Sequence, residues 1–166
     1  MDDVLFPVFP DDGLLGLRLF QCGWGQCAPL RSFCPIVRSH YLFYYVISGN
    51  GSLESKMKEG DSQHYGLEAG QGFLLSPGQR NICTAGQAQT WKYVWLEFGG
   101  LHAAEYLQAA GLSAAQPVYR PWSIEQAGQV RESVLYIAGH PRASSLCLTG
   151  HLCLFLDALI QTNSTW

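Results

Sequence analysis

Charge is scarce in this sequence. Only 14% of its 166 residues are Asp, Glu, Lys or Arg, and the ten basic residues are scattered without forming a stripe. Neutralising a phosphate backbone needs clustered cations, so nucleic-acid binding by this segment alone is not expected. Apolar runs of membrane-spanning length are missing, which argues against transmembrane helices and a membrane partner. The first ten residues, MDDVLFPVFP, are acidic rather than basic, so they do not read as a secretory signal, and a cytoplasmic location is expected. The six cysteines include no Cys-x-x-Cys pair, and the Cys22/Cys27 and Cys147/Cys153 spacings fit no common zinc pattern. They are expected as reduced thiols packed as small hydrophobes, with a Cys22–Cys27 disulfide as the lesser alternative. A Gly-x-Ser-x-Gly nucleophile turn is absent. The Gly70-Gln71-Gly72 stretch lies between strands rather than at a helix start, so it is turn chemistry and not a phosphate site.

What is present is apolar and aromatic. Hydrophobic residues make up 48% of the chain, with five Trp, eight Tyr and eight Phe. That composition and length describe one globular domain, or one domain with a helical appendage. Aromatic residues suit pleated sheets and also line ligand pockets, and most of these rings are expected in the core.

Three stretches between residues 38 and 100 carry the pattern: RSHYLFYYVISGNGSLE, YGLEAGQGFLLSPGQ and WKYVWLEFGG. Strands are expected over 15–22, 33–37, 40–48, 52–58, 64–67, 72–75, 80–84 and 92–98, with Gly23, Gly25 and Pro29 ending the first. The Ser48-Gly49-Asn50-Gly51 turn predicts a hairpin joining 40–48 to 52–58, because Asn-Gly tolerates the positive φ of a tight turn. After Gly100 the pattern becomes helical. A short helix is expected over 101–110, a brief strand at Val118 and Tyr119, then a helix opened by Ser123 as N-cap with Gln126 at the capping-box position. A last helix over about 143–161 carries two apolar stripes. One of them, Leu148, Leu152, Phe155 and Leu159, has the spacing of a coiled-coil seam. Either both stripes are internal, or this seam meets a partner; the partner reading is preferred.

Strand alternation sorts the aromatic residues. It puts His40, Leu42, Tyr44 and Val46 on one face of their strand, and Tyr93, Trp95 and Glu97 on one face of the last strand. Those faces mix ring surface with hydrogen-bonding groups, which suits a sugar: apolar sugar faces stack on rings, and buried hydroxyls need partners.

The stretches CGWGQC, HYLFYYVISGNG, AGQGFLLSPGQ and WKYVWLEFGG resemble the N-terminal effector-binding and dimerisation domain of AraC-type bacterial transcription regulators, over nearly the whole chain. The resemblance implies a mainly β fold: a cupin-like double-stranded β-helix, or jelly-roll, followed by a C-terminal pair of α-helices. It implies an N-terminal arm (1–13), a ligand-binding barrel (14–100), a helical dimerisation region (101–162), and the start of a linker (163–166) to an absent DNA-binding domain. The implied partners are a small-molecule effector, taken to be a carbohydrate, a second copy of the chain, and DNA only through that absent domain. Pocket residues of the arabinose-binding member transfer to Tyr93 and Trp95, and more loosely to Arg38. Its barrel-corner aromatic corresponds to Cys83, and its sugar-binding arginine has no clean match, Cys34 lying near its place, which argues against arabinose itself. The expected ligand-binding residues are Arg38, His40, Tyr44, Asn81, Tyr93 and Trp95, and the expected dimerisation residues Leu148, Leu152, Phe155 and Leu159. The rival is a metal-dependent cupin enzyme, an isomerase or dioxygenase. Metal cupins follow a Gly, a Pro five residues on and a Gly with a His; here Gly72, Pro77 and Gly78 lead to Asn81 instead. His40 stands alone where a His-x-His would be, so no metal, cofactor or catalytic residue is expected.

Overall fold

A computed structural model describes residues 16–57 and 60–161. The expected arm (1–13) and linker (163–166) lie outside the described residues. Nine strands and three helices are described: β1 (Arg18–Cys27), β2 (Ser32–Phe33), β3 (Tyr41–Ser48), β4 (Asn50–Lys56), β5 (Ser62–Glu68), β6 (Gly72–Leu75), β7 (Asn81–Ala85), β8 (Trp91–Gly99), α1 (Ala103–Ala109), β9 (Val118–Tyr119), α2 (Ile124–Gly139) and α3 (Ser145–Gln161). One sheet runs β1-β8-β3-β6-β9 and the other β2-β7-β4-β5, every pairing antiparallel. The first eight strands pair 1 with 8, 2 with 7, 3 with 6 and 4 with 5. That nesting is a double-sheet jelly-roll, the fold of cupins.

Alternation along β3 and β8 builds two cores. Leu42, Tyr44, Val46, Trp91, Tyr93 and Trp95 face between the sheets. Phe43, Tyr45, Val94, Leu96 and Phe98 face outward and lie under the helices. Both faces of these strands are buried, which is why they read as nearly continuous apolar runs. Cys22 and Cys27 belong one to each core, on opposite faces of β1, and all six cysteines are free. The Cys22–Cys27 disulfide is thereby excluded. Cys34 is exposed rather than packed.

The expected hairpin between 40–48 and 52–58 does not form. β3 pairs with β6 and β8, whereas β4 pairs with β5 and β7 in the other sheet. Among residues 48–51 only Gly49 has positive φ, at +79°. An Asn-Gly hairpin turn would need two such residues, so this is a corner that carries the chain between sheets. A side chain at Gly49 would also meet the Thr90 carbonyl at 2.6 Å.

The helices cover the outer face of the larger sheet. Ser123 caps α2 as expected, its side chain accepting from the Gln126 N–H at 3.1 Å. The Gln126 side chain does not complete a capping box. It accepts from the Tyr119 hydroxyl at 2.7 Å and donates to the Ala158 carbonyl at 3.0 Å, tying β9, α2 and α3 together. In α3, Leu148, Leu152, Phe155 and Leu159 are all buried within the chain. Phe155 meets Phe43 edge-on at 4.9 Å. The seam is therefore internal and not a dimer interface. The outer face of the larger sheet is itself apolar and must be covered, and the most regular apolar stripe available does so. Leu146 and Leu154 are the large hydrophobic residues that α3 leaves exposed.

Candidate functional site

A half-open cavity of about 240 Å³ lies between β1, β3 and β8 of the larger sheet and the segment that leads from β2 to β3. β8 supplies Tyr93 and Trp95, β3 supplies Leu42 and Tyr44, β1 supplies Gly25, and the segment from β2 to β3 supplies Phe33, Cys34, Pro35, Ile36 and Arg38. Four of the six expected ligand residues, Arg38, Tyr44, Tyr93 and Trp95, are brought together here.

Two glycines make the room. Gly23 pairs with Trp95 and Gly25 with Tyr93 across β1 and β8. A Cβ on Gly23 would stand 2.9 Å from the Trp95 ring, and one on Gly25 would collide with the Tyr93 ring. These glycines were expected to end the first strand; β1 instead runs on to Cys27 through both, because the opposing rings fill the space that side chains would occupy. Replacing Gly25 by Val should leave the fold intact while driving the Tyr93 ring into the cavity. We expect ligand affinity to fall at least about tenfold by calorimetry, on the scale of one mispacked aromatic contact.

The ring wall is continuous. Phe33 stacks on Tyr93 at 5.3 Å, Tyr44 packs against Tyr93 at 5.3 Å, and Tyr44 stacks on Phe73 at 4.9 Å. The β2–β3 segment is tied down on both sides. The Arg31 carbonyl accepts from the Ala85 N–H, and the Arg38 carbonyl from the Gly78 N–H, both at 2.9 Å. The Ser76-Pro77-Gly78 corner thus anchors the arginine of the cavity.

Behind Arg38 lies Glu97, a buried carboxylate with 3% exposure. Its Oε1 is 3.0 Å from His40 Nδ1, and its Oε2 is 3.9 Å from Arg38 Nη1. His40 does not line the cavity. It precedes β3, where strand alternation no longer dictates its direction, and its ring stacks on Phe20 at 3.6 Å. Asn81 is likewise removed from the cavity lining. It is 4% exposed, its Oδ1 accepts from Ser55 Oγ at 2.8 Å, and its Nδ2 donates to the Gln79 carbonyl. Both expectations are corrected: a hydrogen bond to a neighbouring strand holds each side chain. Asn81→Ala should cost about 1–3 kcal/mol of stability, the scale for orphaning a buried partner, and leave ligand affinity unchanged. A urea titration and a binding isotherm of the same variant check both halves.

The residues that the sequence reading missed, chiefly Phe33, Cys34, Pro35 and Ile36, sit on a segment in which only Ser32 and Phe33 form a strand. No period marks such a wall. Burial pushes the Cys83 thiol strongly upward, with Cys34 and Cys27 nearby adding to the effect. A larger groove of about 520 Å³ lies outside the barrel, among Tyr41, Ser76, Leu107, Gln108 and Gln116, and contains none of the expected ligand residues. Among the described residues no group of three His, Cys, Asp or Glu is placed to hold a metal ion, and Asn81 and His40 are both engaged elsewhere, so these residues do not fit a cupin metal centre. No described helix is long and apolar enough to cross a membrane.

A family model described as AraC-like ligand binding domain matches residues 21–161. Solved structures resemble parts of the barrel. YhaK from Escherichia coli is 19% identical, with a TM-score of 0.47 over 59% of this chain and 45% of that one. A cupin 2 conserved barrel domain protein from Salinispora arenicola is 16% identical, with a TM-score of 0.44 over 57% of this chain and 72% of that one. A mutant of Bacillus subtilis oxalate decarboxylase is 10% identical, with a TM-score of 0.44 over 66% of this chain and 36% of that one. No curated protein matches the chain.

Proposed function

The chain belongs to the AraC-like ligand-binding domain family, and from that premise we propose that it is the effector-sensing part of a transcription regulator, taking a small ring-shaped molecule of carbohydrate type into its barrel cavity. The observation that carries this reading is the cavity itself: ring surfaces from Tyr44, Tyr93 and Trp95 beside the Arg38 guanidinium. Aromatic faces stack on the apolar faces of a ring, and the guanidinium fixes its polar edge. Its volume of about 240 Å³ lies below the usual range for drug-sized ligands and suits a single ring.

In this reading the domain senses and does not catalyse, and the DNA contacts are made by another domain of a longer protein. The free cysteines are consistent with work in a reducing cytoplasm. A homodimer would pair through the outward surface of α3, where Leu146 and Leu154 are exposed, and not through the buried seam. Nothing in the site favours the enzyme rival.

The test is a thermal-shift screen of monosaccharides and sugar acids, followed by calorimetry on the hits. Trp95→Ala should weaken a hit by about 1–3 kcal/mol through lost stacking and burial. A hit that binds Trp95→Ala as tightly as wild type would place the ligand elsewhere and end this reading of the cavity.

A further inference from the structure

We propose that the effector carries a carboxylate, gripped by Arg38, on a compact ring that lies against Trp95 and Tyr93; this rests on the reading that the barrel cavity is the effector site. Among the described residues lining the cavity, Arg38 is the one charged side chain. The lining includes no carboxylate, no carboxamide and no serine or threonine. A neutral polyol presents several hydroxyl donors, and each one buried needs an acceptor. The Tyr44 and Tyr93 hydroxyls are the oxygen acceptors among this wall's side chains, too few for the several donors of a polyol. A carboxylate has the opposite demand: it only accepts, through about four lone-pair sites. A guanidinium with a planar fork of donors meets that demand with two parallel charge-assisted bonds.

Arg38 is set up for this role. Its side chain makes no hydrogen bond to the described residues, the nearest anionic group being Glu97 at 3.9 Å, beyond hydrogen-bond length. Glu97 is engaged by His40 through its other oxygen. The buried carboxylate therefore draws the guanidinium to the wall by charge without occupying its N–H groups. The Arg38 carbonyl, held by the Gly78 N–H, fixes the backbone from which the side chain projects. Apolar and aromatic surface on the remaining walls adds ring contact to the charge-assisted pair, and Arg38, 31% exposed, keeps its guanidinium within reach of an incoming ligand.

Two kinds of ring acid share this chemistry, sugar acids and aromatic acids. Matched pairs separate them: D-galacturonate against D-galactose, and benzoate against benzamide, each titrated calorimetrically into wild type, Arg38→Gln and Arg38→Lys. In the pair of the right ring type, the acid should bind wild type at least about tenfold more tightly than its neutral partner, the scale of a hydrogen bond to a charged group. Arg38→Gln should remove that preference by weakening the acid far more than its neutral partner, and Arg38→Lys, which keeps charge but loses the fork, should fall between. If a neutral partner binds as tightly as its acid, or Arg38→Gln weakens both alike, the carboxylate is wrong and the sensing role stands. If neither acid binds and no neutral ring in the thermal-shift screen binds either, the cavity reading falls together with this inference.

Discussion

Glutamate at Leu152 and Phe155 together should unfold the domain. Both side chains are fully buried between α3 and the barrel, and Phe155 contacts the rings of Phe43 and Phe98. Truncating a buried Leu or Phe costs about 2–5 kcal/mol each, and an unpaired buried carboxylate adds several more. Those terms reach the whole stability of an ordinary domain, about 5–15 kcal/mol. Circular dichroism should show loss of the cooperative melt. The matched control is Leu146→Glu with Leu154→Glu, on the exposed side of the same helix, which should leave the fold and its melt in place. If Leu152→Glu with Phe155→Glu gave a folded monomer from a parent dimer, the seam of α3 would face a partner and not the barrel.

The second large effect is at Trp91. Its ring is fully buried in the inner core, with Phe33, Phe73 and Tyr93 at centroid distances of 6.1, 6.2 and 6.1 Å. Trp91→Ala should cost about 3–5 kcal/mol. For a domain of this size that is a fall in melting temperature of roughly 6–20 °C. Because Phe33 and Tyr93 lean on Trp91 and also line the cavity, the variant should lose ligand affinity as well. Its indole Nε1 is buried without a hydrogen-bond partner, so Trp91→Phe removes an unsatisfied donor along with part of the ring and should cost much less than Trp91→Ala. Equal losses in the two variants would mean that the indole nitrogen, not the ring, is what the core depends on.

Much of this architecture was legible because alternation is a local property. The runs HYLFYYVIS and WKYVWLEF sort their own side chains into two faces, and the inner face holds Tyr44, Tyr93 and Trp95 as expected. The errors arose where a residue's role is set by something distant in sequence. Gly23 and Gly25 read as strand breakers because the rings that explain them lie some seventy residues away, at Trp95 and Tyr93. Ser48-Gly49-Asn50-Gly51 read as a hairpin because the turn signal does not say which sheet the next strand joins. His40 and Asn81 were expected in the pocket, but their directions follow from Glu97 and Ser55. The α3 seam has the period of a partner interface, yet the same period serves a sheet that must be covered. The jelly-roll itself came from resemblance to a family, not from periodicity, since the pairing of β1 with β8 and β2 with β7 leaves no local trace.

The central claim is that a small molecule occupies the cavity bounded by Cys34, Arg38, Tyr93 and Trp95. Cys34 lines that cavity and is exposed, whereas Cys147 lies on α3, on the far side of the larger sheet. Burial pushes the Cys22 thiol up to about 11, so it stays unreactive near pH 8. Iodoacetamide labelling at that pH, followed residue by residue by mass spectrometry, therefore has its own internal controls. A saturating ligand from the thermal-shift screen should slow labelling of Cys34 several-fold and leave the rate at Cys147 unchanged. A ligand that stabilises the protein while Cys34 is labelled as fast as before would contradict the account.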